Sequence, residues 1–194
     1  MVLGAFACLG ERQAVYVSSP FTTGRLHIAW RAAQEGDGPE SLGQLARYEH
    51  QVLGPNRATA KQFVDDLRRQ LPGVVIDPLA FPDQIDWTQD DYRAMWADVV
   101  RRHASAVVFR TGWQCSSGCS FEFLVAVQEG LPLLNEDLNP FSVDDGVRLL
   151  REAALESQAQ GVSSAFLEHV LAALGDIGSR RTGTSKSAAR PGER

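Results

Sequence analysis

Residues 106–135, AVVFRTGWQCSSGCSFEFLVAVQEGLPLLN, decide the fold of this chain. Residues 106–109 are a short β-branched and aromatic run, which predicts a strand buried on both faces, and a loop rich in Gly and Ser follows. From about Ser117 the apolar residues recur at helical spacing, and Gly130 stands where a left-handed C-terminal cap is expected. Residues 131–134 resume a strand pattern. The stretch therefore predicts consecutive strand, helix and strand in a parallel α/β sheet.

Glu122 lies about one turn into this predicted helix, close to the bend after the strand. In an open α/β sheet, such a bend is the usual ligand site, because free amides and the positive helix end point there. We expect the helix end to hold the carboxylate ionised, which suits a nucleophile or an acceptor for sugar hydroxyls. An acid that only balances the helix dipole is the alternative.

The first loop of the chain at this predicted sheet edge follows a strand at residues 14–18. Its small and hydroxyl-bearing residues and its glycine let a backbone approach a ligand closely. The residues of this loop are Ser19, Pro20, Phe21, Thr22, Thr23 and Gly24. Tyr16, just inside the strand, either points its hydroxyl into the shared cleft or belongs to the core.

Residues 25–56 are longer than a simple crossover requires, so we interpret them as a helical insertion over the cleft that acts as a lid or a dimer contact. We expect a break at residues 35–41 and a helix end near Gly54 and Pro55. Thr59 is expected to cap the next helix, and residues 74–77 to form the second strand.

Two capping boxes predict later helix starts, at Thr88 and at Ser142, each with Asp three residues further on. The first helix carries an apolar stripe that indicates core: Tyr92, Met95, Trp96 and Val99. Asp98 lies beside this stripe and is a surface acid unless it faces the cleft. The last helices are expected at about 143–158 and 164–174.

The 194 residues are 44% hydrophobic, which suits one domain over residues 1–175. No run of 18 apolar residues predicts a membrane span, and the apolar opening lacks the basic start of a secretory signal. Three cysteines, an odd number, argue against a disulfide framework. We therefore expect a cytoplasmic protein with no membrane contact.

Cys115 and Cys119 are four residues apart, but no His or Cys pair with ligand spacing completes a metal site, and no cofactor is expected. Buried thiols are the favoured interpretation, with a nucleophilic cysteine beside Glu122 as the alternative.

Charge is unevenly distributed along the chain. Residues 179–194 carry five Lys or Arg and one Glu, a net charge of +4. Because the whole chain has a net charge of −5, the remaining residues carry −5 − 4 = −9. An acidic body argues against nucleic-acid binding. The basic end lacks large apolar residues, so we expect residues 176–194 to form a disordered tail.

The motifs YVSSPFTTG at 16–24 and FRTGWQCSSGCSFEFLVAVQEGLPLL at 109–134 resemble those of the nucleoside 2-deoxyribosyltransferase superfamily, closest to its uncharacterised bacterial branch. The resemblance covers about half of the chain. It implies a flavodoxin-like or Rossmann-like doubly wound parallel sheet, a nucleoside or nucleotide as ligand, and a homodimer.

The resemblance also assigns roles to residues. Glu122 matches the glutamate that attacks the anomeric carbon, Tyr16 the tyrosine that orients it, and Asp98 an acid on the preceding helix. The expected substrate-binding residues are the first loop, Ser19 to Gly24, together with Gly112, Trp113, Ser116, Ser117 and Gly118.

Three positions depart from the family pattern. Ser116 stands where transferases carry an aspartate, Ser105 replaces another acid, and Ser19 replaces a glycine. Without these acids, protonation of a leaving base is lost, so hydrolysis of the N-glycosidic bond is favoured over base exchange. The alternatives are a nucleotide-sensing module without chemistry and a thiol-dependent enzyme or redox switch at Cys115 and Cys119.

Overall fold

The computed structural model describes residues 9–33, 41–82 and 84–187. The strands of its sheet are β1 Ala14–Ser18, β2 Val74–Ile76, β3 Ala104–Phe109 and β4 Leu133–Asn135. They are ordered β2, β1, β3, β4, and every neighbouring pair is parallel. This order is that of the flavodoxin-like arrangement. The predicted doubly wound parallel α/β fold is therefore confirmed.

The helices are α1 Arg25–Ala32, α2 Leu42–Tyr48, α3 Gly54–Gln70, α4 Gln89–His103, α5 Ser117–Glu129, α6 Val143–Ala159 and α7 Ala165–Ser187. Helix α3 packs on the sheet face that carries Val17 and Val108. Helices α4 and α5 cover the opposite face, which carries Tyr16 and Phe109, and α7 packs against α5. None of the helices in the described ranges is long and apolar enough to cross a membrane.

The caps that the sequence predicts are present. Thr88 and Ser142 each form a capping box with the Asp three residues further on, and Gly130 ends α5 in the left-handed conformation, with φ 64°. These local signals fix the starts of α4 and α6 and the end of α5.

The predicted helix end at Gly54 and Pro55 is wrong. Helical backbone runs from α2 through a π-helical segment, Glu49–Leu53, directly into α3. Pro55 lies in the first turn of α3, where its missing N–H costs little. Thr59 consequently lies inside the helix, where its hydroxyl donates to the Pro55 carbonyl oxygen at 2.8 Å instead of capping.

Other boundaries shift by one or two residues, except at the C-terminal end. Helix α7 runs to Ser187 rather than ending at Leu174, since no proline interrupts this part of the chain. It thus enters the segment expected to be a disordered tail. Residues 188–194 of that tail, most of the predicted break at 35–41, and the third cysteine, Cys8, lie outside the described residues.

Candidate functional site at the carboxyl ends of β1 and β3

Glu122 is held by two hydroxyl groups from β1. The Tyr16 Oη donates to Glu122 Oε1 at 2.6 Å, and the Ser18 Oγ donates to Oε2 at 2.6 Å. Tyr16 and Ser18 are fully buried, and Glu122 is 9% exposed. Each carboxylate oxygen therefore has its own donor inside the protein.

The sheet explains why these residues meet. Residues two apart on a strand point to the same face, so Tyr16 and Ser18 both face α5. Ser18 pairs in register with Phe109, the last residue of β3. After Phe109 the chain turns through Gly112, with φ 86°, and enters α5 at its N-cap, Ser116. The site consequently lies where strand order reverses in a flavodoxin-like sheet, the usual place for a ligand.

Burial raises the pKa of Glu122 to about 7, although the hydrogen bonds from Ser18 and Tyr16 act to lower it. The expectation that the helix end holds this carboxylate ionised is therefore corrected. Glu122 stands six residues after the N-cap, in the second turn, where the field of the helix end has weakened. The charged and the protonated forms of Glu122 are therefore both populated near pH 7.

Tyr16 remains a neutral donor. Burial first, and the neighbouring Glu122 charge second, raise the pKa of its hydroxyl well above the ordinary value. The two alternatives for Tyr16 are both realised, because its ring is in the core while its hydroxyl reaches the site.

A cleft of about 360 Å³ opens beside Glu122. One side of it is lined by hydroxyl-bearing residues: Ser19, Thr22, Thr23 and Ser116. The Thr23 and Ser116 hydroxyls are 3.0 Å apart, and the Ser117 N–H donates to Thr23 Oγ1 at 3.1 Å, so the first loop is tied to the start of α5. The Ser19 Oγ is buried with no hydrogen-bond partner in the described part of the chain.

Aromatic rings also line the cleft. Its ring-bearing residues are Phe21, Phe81, Tyr92, Trp96 and Phe121. Flat apolar walls with few polar groups are typical of sites for small planar ligands. Tyr92 and Trp96 therefore border the cleft, although the sequence indicated only core for them.

Two arginines also line the cleft, Arg57 from α3 and Arg93 from α4. The Arg57 guanidinium lies 5.1 Å from the Phe21 ring centre and pairs with Glu49 at 3.0 Å. The Arg93 guanidinium lies 4.5 Å from the Phe166 ring centre and pairs with Asp90. Sequence reasoning gave neither residue a role.

Some expected site residues support the cleft without lining it. Trp113 packs on Phe109 and Phe123, with ring centres 4.9 and 4.8 Å apart. Gly24, with φ 124°, begins α1 and lies against Pro20, where an added Cβ would be 3.0 Å from the proline ring. The expected residues that line the cleft are Ser19, Phe21, Thr22, Thr23, Ser116, Gly118 and Glu122, and those that do not are Tyr16, Pro20, Gly24, Gly112, Trp113 and Ser117.

Asp98 does not belong to the cleft. Its carboxylate pairs with Arg102 at 3.2 Å and with Arg101 at 3.8 Å. Two residues beyond Trp96 on a helix correspond to a rotation of about 200°, so Asp98 faces away from the ring that borders the cleft. The expectation of a catalytic role for Asp98 is therefore corrected, and it is a surface acid in an ion-pair cluster.

The insertion supports the first loop from behind. The Tyr48 hydroxyl donates to the Thr22 carbonyl oxygen at 2.5 Å, and the Asn56 side-chain amide donates to the Phe21 carbonyl oxygen at 2.6 Å. None of the described residues of 25–56 lines the cleft, so these contacts make the described part of the insertion a brace for the loop at residues 19–24, and a lid over the cleft stays a prediction. A dimer contact stays a prediction.

The geometry argues against thiol chemistry. Cys115 and Cys119 are buried and free, and burial raises the pKa of both thiols, that of Cys119 to about 12. A thiol without its charge is a poor nucleophile. In the described ranges, no group of three His, Cys, Asp or Glu residues is placed to hold a metal ion.

Ser18 contacts Glu122 but is not among the predicted site residues, although the sequence carries a signal for it. It ends β1 two residues after Tyr16, and the two-residue period of a strand places both on one face. Fold and site together define a parallel α/β protein with a buried carboxylate in a ligand cleft at the switch point. No protein-family model, curated protein or solved structure matches this chain.

Proposed function

We propose that this protein cleaves the N-glycosidic bond of a nucleoside or nucleotide, with Glu122 as nucleophile and water as the preferred acceptor. The observation that carries the proposal is the Glu122 carboxylate, fixed by Tyr16 and Ser18 at the edge of the cleft. It is supported by the resemblance of the two loop motifs to the nucleoside 2-deoxyribosyltransferase superfamily.

The cleft suits the two halves of such a substrate. Aromatic rings can stack on a planar base, and hydroxyl groups can bind a sugar. The hydroxyl-rich wall includes Ser116, next to the start of α5, and Ser19, whose oxygen has no partner in the described part of the chain. A sugar hydroxyl would satisfy this oxygen.

In the proposed reaction, an ionised Glu122 oxygen bonds to the anomeric carbon while the bond from that carbon to the base breaks. The electron pair of the broken bond leaves with the base. Water then attacks the same carbon and the bond from that carbon to Glu122 breaks. The sugar keeps the hydroxyl, the other proton of the water passes to the released base, and Glu122 regains its charge. Tyr16 and Ser18 hold the carboxylate in position and stabilise its charged form through both steps.

The second candidate is a nucleotide-binding or sensing module with no chemistry. The observation in its favour is that both Glu122 oxygens already accept hydrogen bonds and that burial raises the carboxyl pKa to about 7. Both features lower the reactivity of the group at neutral pH. Such a module would use the same cleft.

The test is to incubate the purified protein with nucleosides and 5′-monophosphates, ribo and 2′-deoxy, and to detect free base by chromatography. Glu122→Gln should abolish release. The matched control is Glu129→Gln at the end of the same helix, where the carboxylate pairs with Arg12 at 3.1 Å far from the cleft. Release that survives Glu122→Gln would refute the nucleophile, and heat protection without release would favour the sensing module.

A further inference from the structure

The described lining of the cleft holds a single carboxylate. Of the residues that the structure describes around it, Glu122 is the one carboxylate, and Asp98 faces away. A base that leaves without a proton carries a negative charge, and something in the cleft must stabilise that charge. A cation in the cleft wall would supply that stabilisation.

Arg93 has the features this role requires. It projects from the same face of α4 as Tyr92 and Trp96, and all three residues line the cleft. Phe166 stacks against it, Asp90 accepts from Nη1, and its side chain is 23% exposed. These contacts hold a charged group in a partly desolvated position.

One buried N–H donor of Arg93 has no acceptor among the described residues. The Nε atom is buried and has no hydrogen-bond partner within the described ranges. A buried N–H without an acceptor is unfavourable, so an acceptor supplied by a ligand would gain affinity here. Arg57 differs, because it pairs with Glu49 and its guanidinium lies over the Phe21 ring.

We propose that Arg93 determines base specificity, donating to the carbonyl oxygen of an oxo-substituted base and stabilising the anion of that base as it leaves. The inference rests on the proposed function and names its substrate class. Bases with a carbonyl oxygen spread the leaving charge onto that oxygen, whereas an amino group in its place donates hydrogen bonds and cannot accept from Nε–H. The proton that the leaving base needs comes from the attacking water, which balances the reaction.

The test compares matched substrates that differ at one group. Inosine and adenosine, and their 2′-deoxy and 5′-phosphate forms, differ by an oxo or an amino substituent on the purine ring. The parent should release hypoxanthine faster than adenine. Arg93→Gln should lower kcat/KM for the oxo substrate by about 100-fold and remove the preference.

Arg102→Gln is the matched control, since it removes an arginine that pairs with Asp98 on the far side of the same helix. It should leave the preference unchanged. Arg93→Lys keeps the charge without the Nε donor and serves if the Gln variant does not fold; it too should lose the preference.

The outcomes separate the two proposals. If Glu122→Gln abolishes release while Arg93→Gln keeps the oxo preference, the specificity role is refuted and the nucleophile stands. If the parent releases no base, heat protection by inosine and adenosine is compared instead. Stronger protection by inosine that depends on Arg93 would support the recognition role, and equal protection would overturn it.

Discussion

Replacing Glu122 with Gln should change how the stability of the fold depends on pH. Burial raises the pKa of Glu122 from 4.5 to about 7, so folding favours the protonated carboxyl. A group whose folded-state pKa is raised contributes stability that is complete below the unfolded-state pKa and is lost as pH rises through the folded-state pKa. The window for Glu122 is therefore about pH 4.5 to 7.

The magnitude follows from the shift. At 1.36 kcal/mol per pKa unit, the full shift of Glu122 corresponds to about 3 kcal/mol, most of it between pH 5 and pH 8. Gln cannot ionise. The free energy of unfolding of Glu122→Gln, relative to the parent, should therefore rise by about 2 to 3 kcal/mol over this range, or roughly 5 to 10 °C in Tm.

The assay is urea unfolding of both proteins at several pH values. At each pH, the free energy of unfolding of one protein is subtracted from that of the other. The pH dependence of this difference cancels the contributions of the other titrating groups and any pH-independent cost of the amide. Glu129→Gln, partly exposed at the end of the same helix, should give a difference that stays within about 0.5 kcal/mol. A Glu122→Gln difference that is constant from pH 5 to pH 8 would refute the claim that burial controls this carboxyl.

Three further predictions follow from the geometry. For any substrate that is turned over, kcat/KM should rise about tenfold per pH unit and level off near pH 7, where Glu122 becomes ionised. Ser18→Ala removes a donor to the charged carboxylate, so a pH profile should show this rise displaced upward by about one unit. Gly146→Ala places a Cβ 2.2 Å from the Phe123 ring and should lower the free energy of unfolding, measured by urea titration, by about 1–3 kcal/mol. Gly175→Ala adds a Cβ in open space and should raise the free energy of unfolding by up to about 1 kcal/mol in the same assay.

The elements of this fold were predictable because their signals are local. Capping boxes at Thr88 and Ser142 and the left-handed Gly130 each act through backbone bonds within one turn. The contact between Tyr16 and Glu122, 106 residues apart, was also predictable from the sequence. In a parallel sheet, the loops after two neighbouring strands meet at one edge.

The missed features depend on how helices pack. A helix offers several faces, and the sequence of α4 does not state whether the Tyr92 side or the Asp98 side borders the cleft. The apolar stripe predicts core, yet its members Tyr92 and Trp96 line a cavity together with Arg93. In the insertion, the Gly54 and Pro55 pair predicts a helix end. A π-helical segment precedes the pair instead, and the helical backbone continues through the proline.

The burial that disfavours the charge on Glu122 also decides what the cleft can do. A desolvated carboxylate is a stronger nucleophile than a hydrated one, but the pKa of about 7 means that fewer molecules hold the charge at neutral pH. Tyr16 and Ser18 offset this cost, because their hydrogen bonds stabilise the charged form and keep both oxygens at the cleft edge. In the proposed reaction, the negative charge moves from the carboxylate to the leaving base, and Arg93 in the same cleft is proposed to stabilise it there. The proposed chemistry thus uses both groups: Glu122→Gln should bind the nucleoside without cleaving it, and Arg93→Gln should cleave the oxo substrate about 100-fold less efficiently.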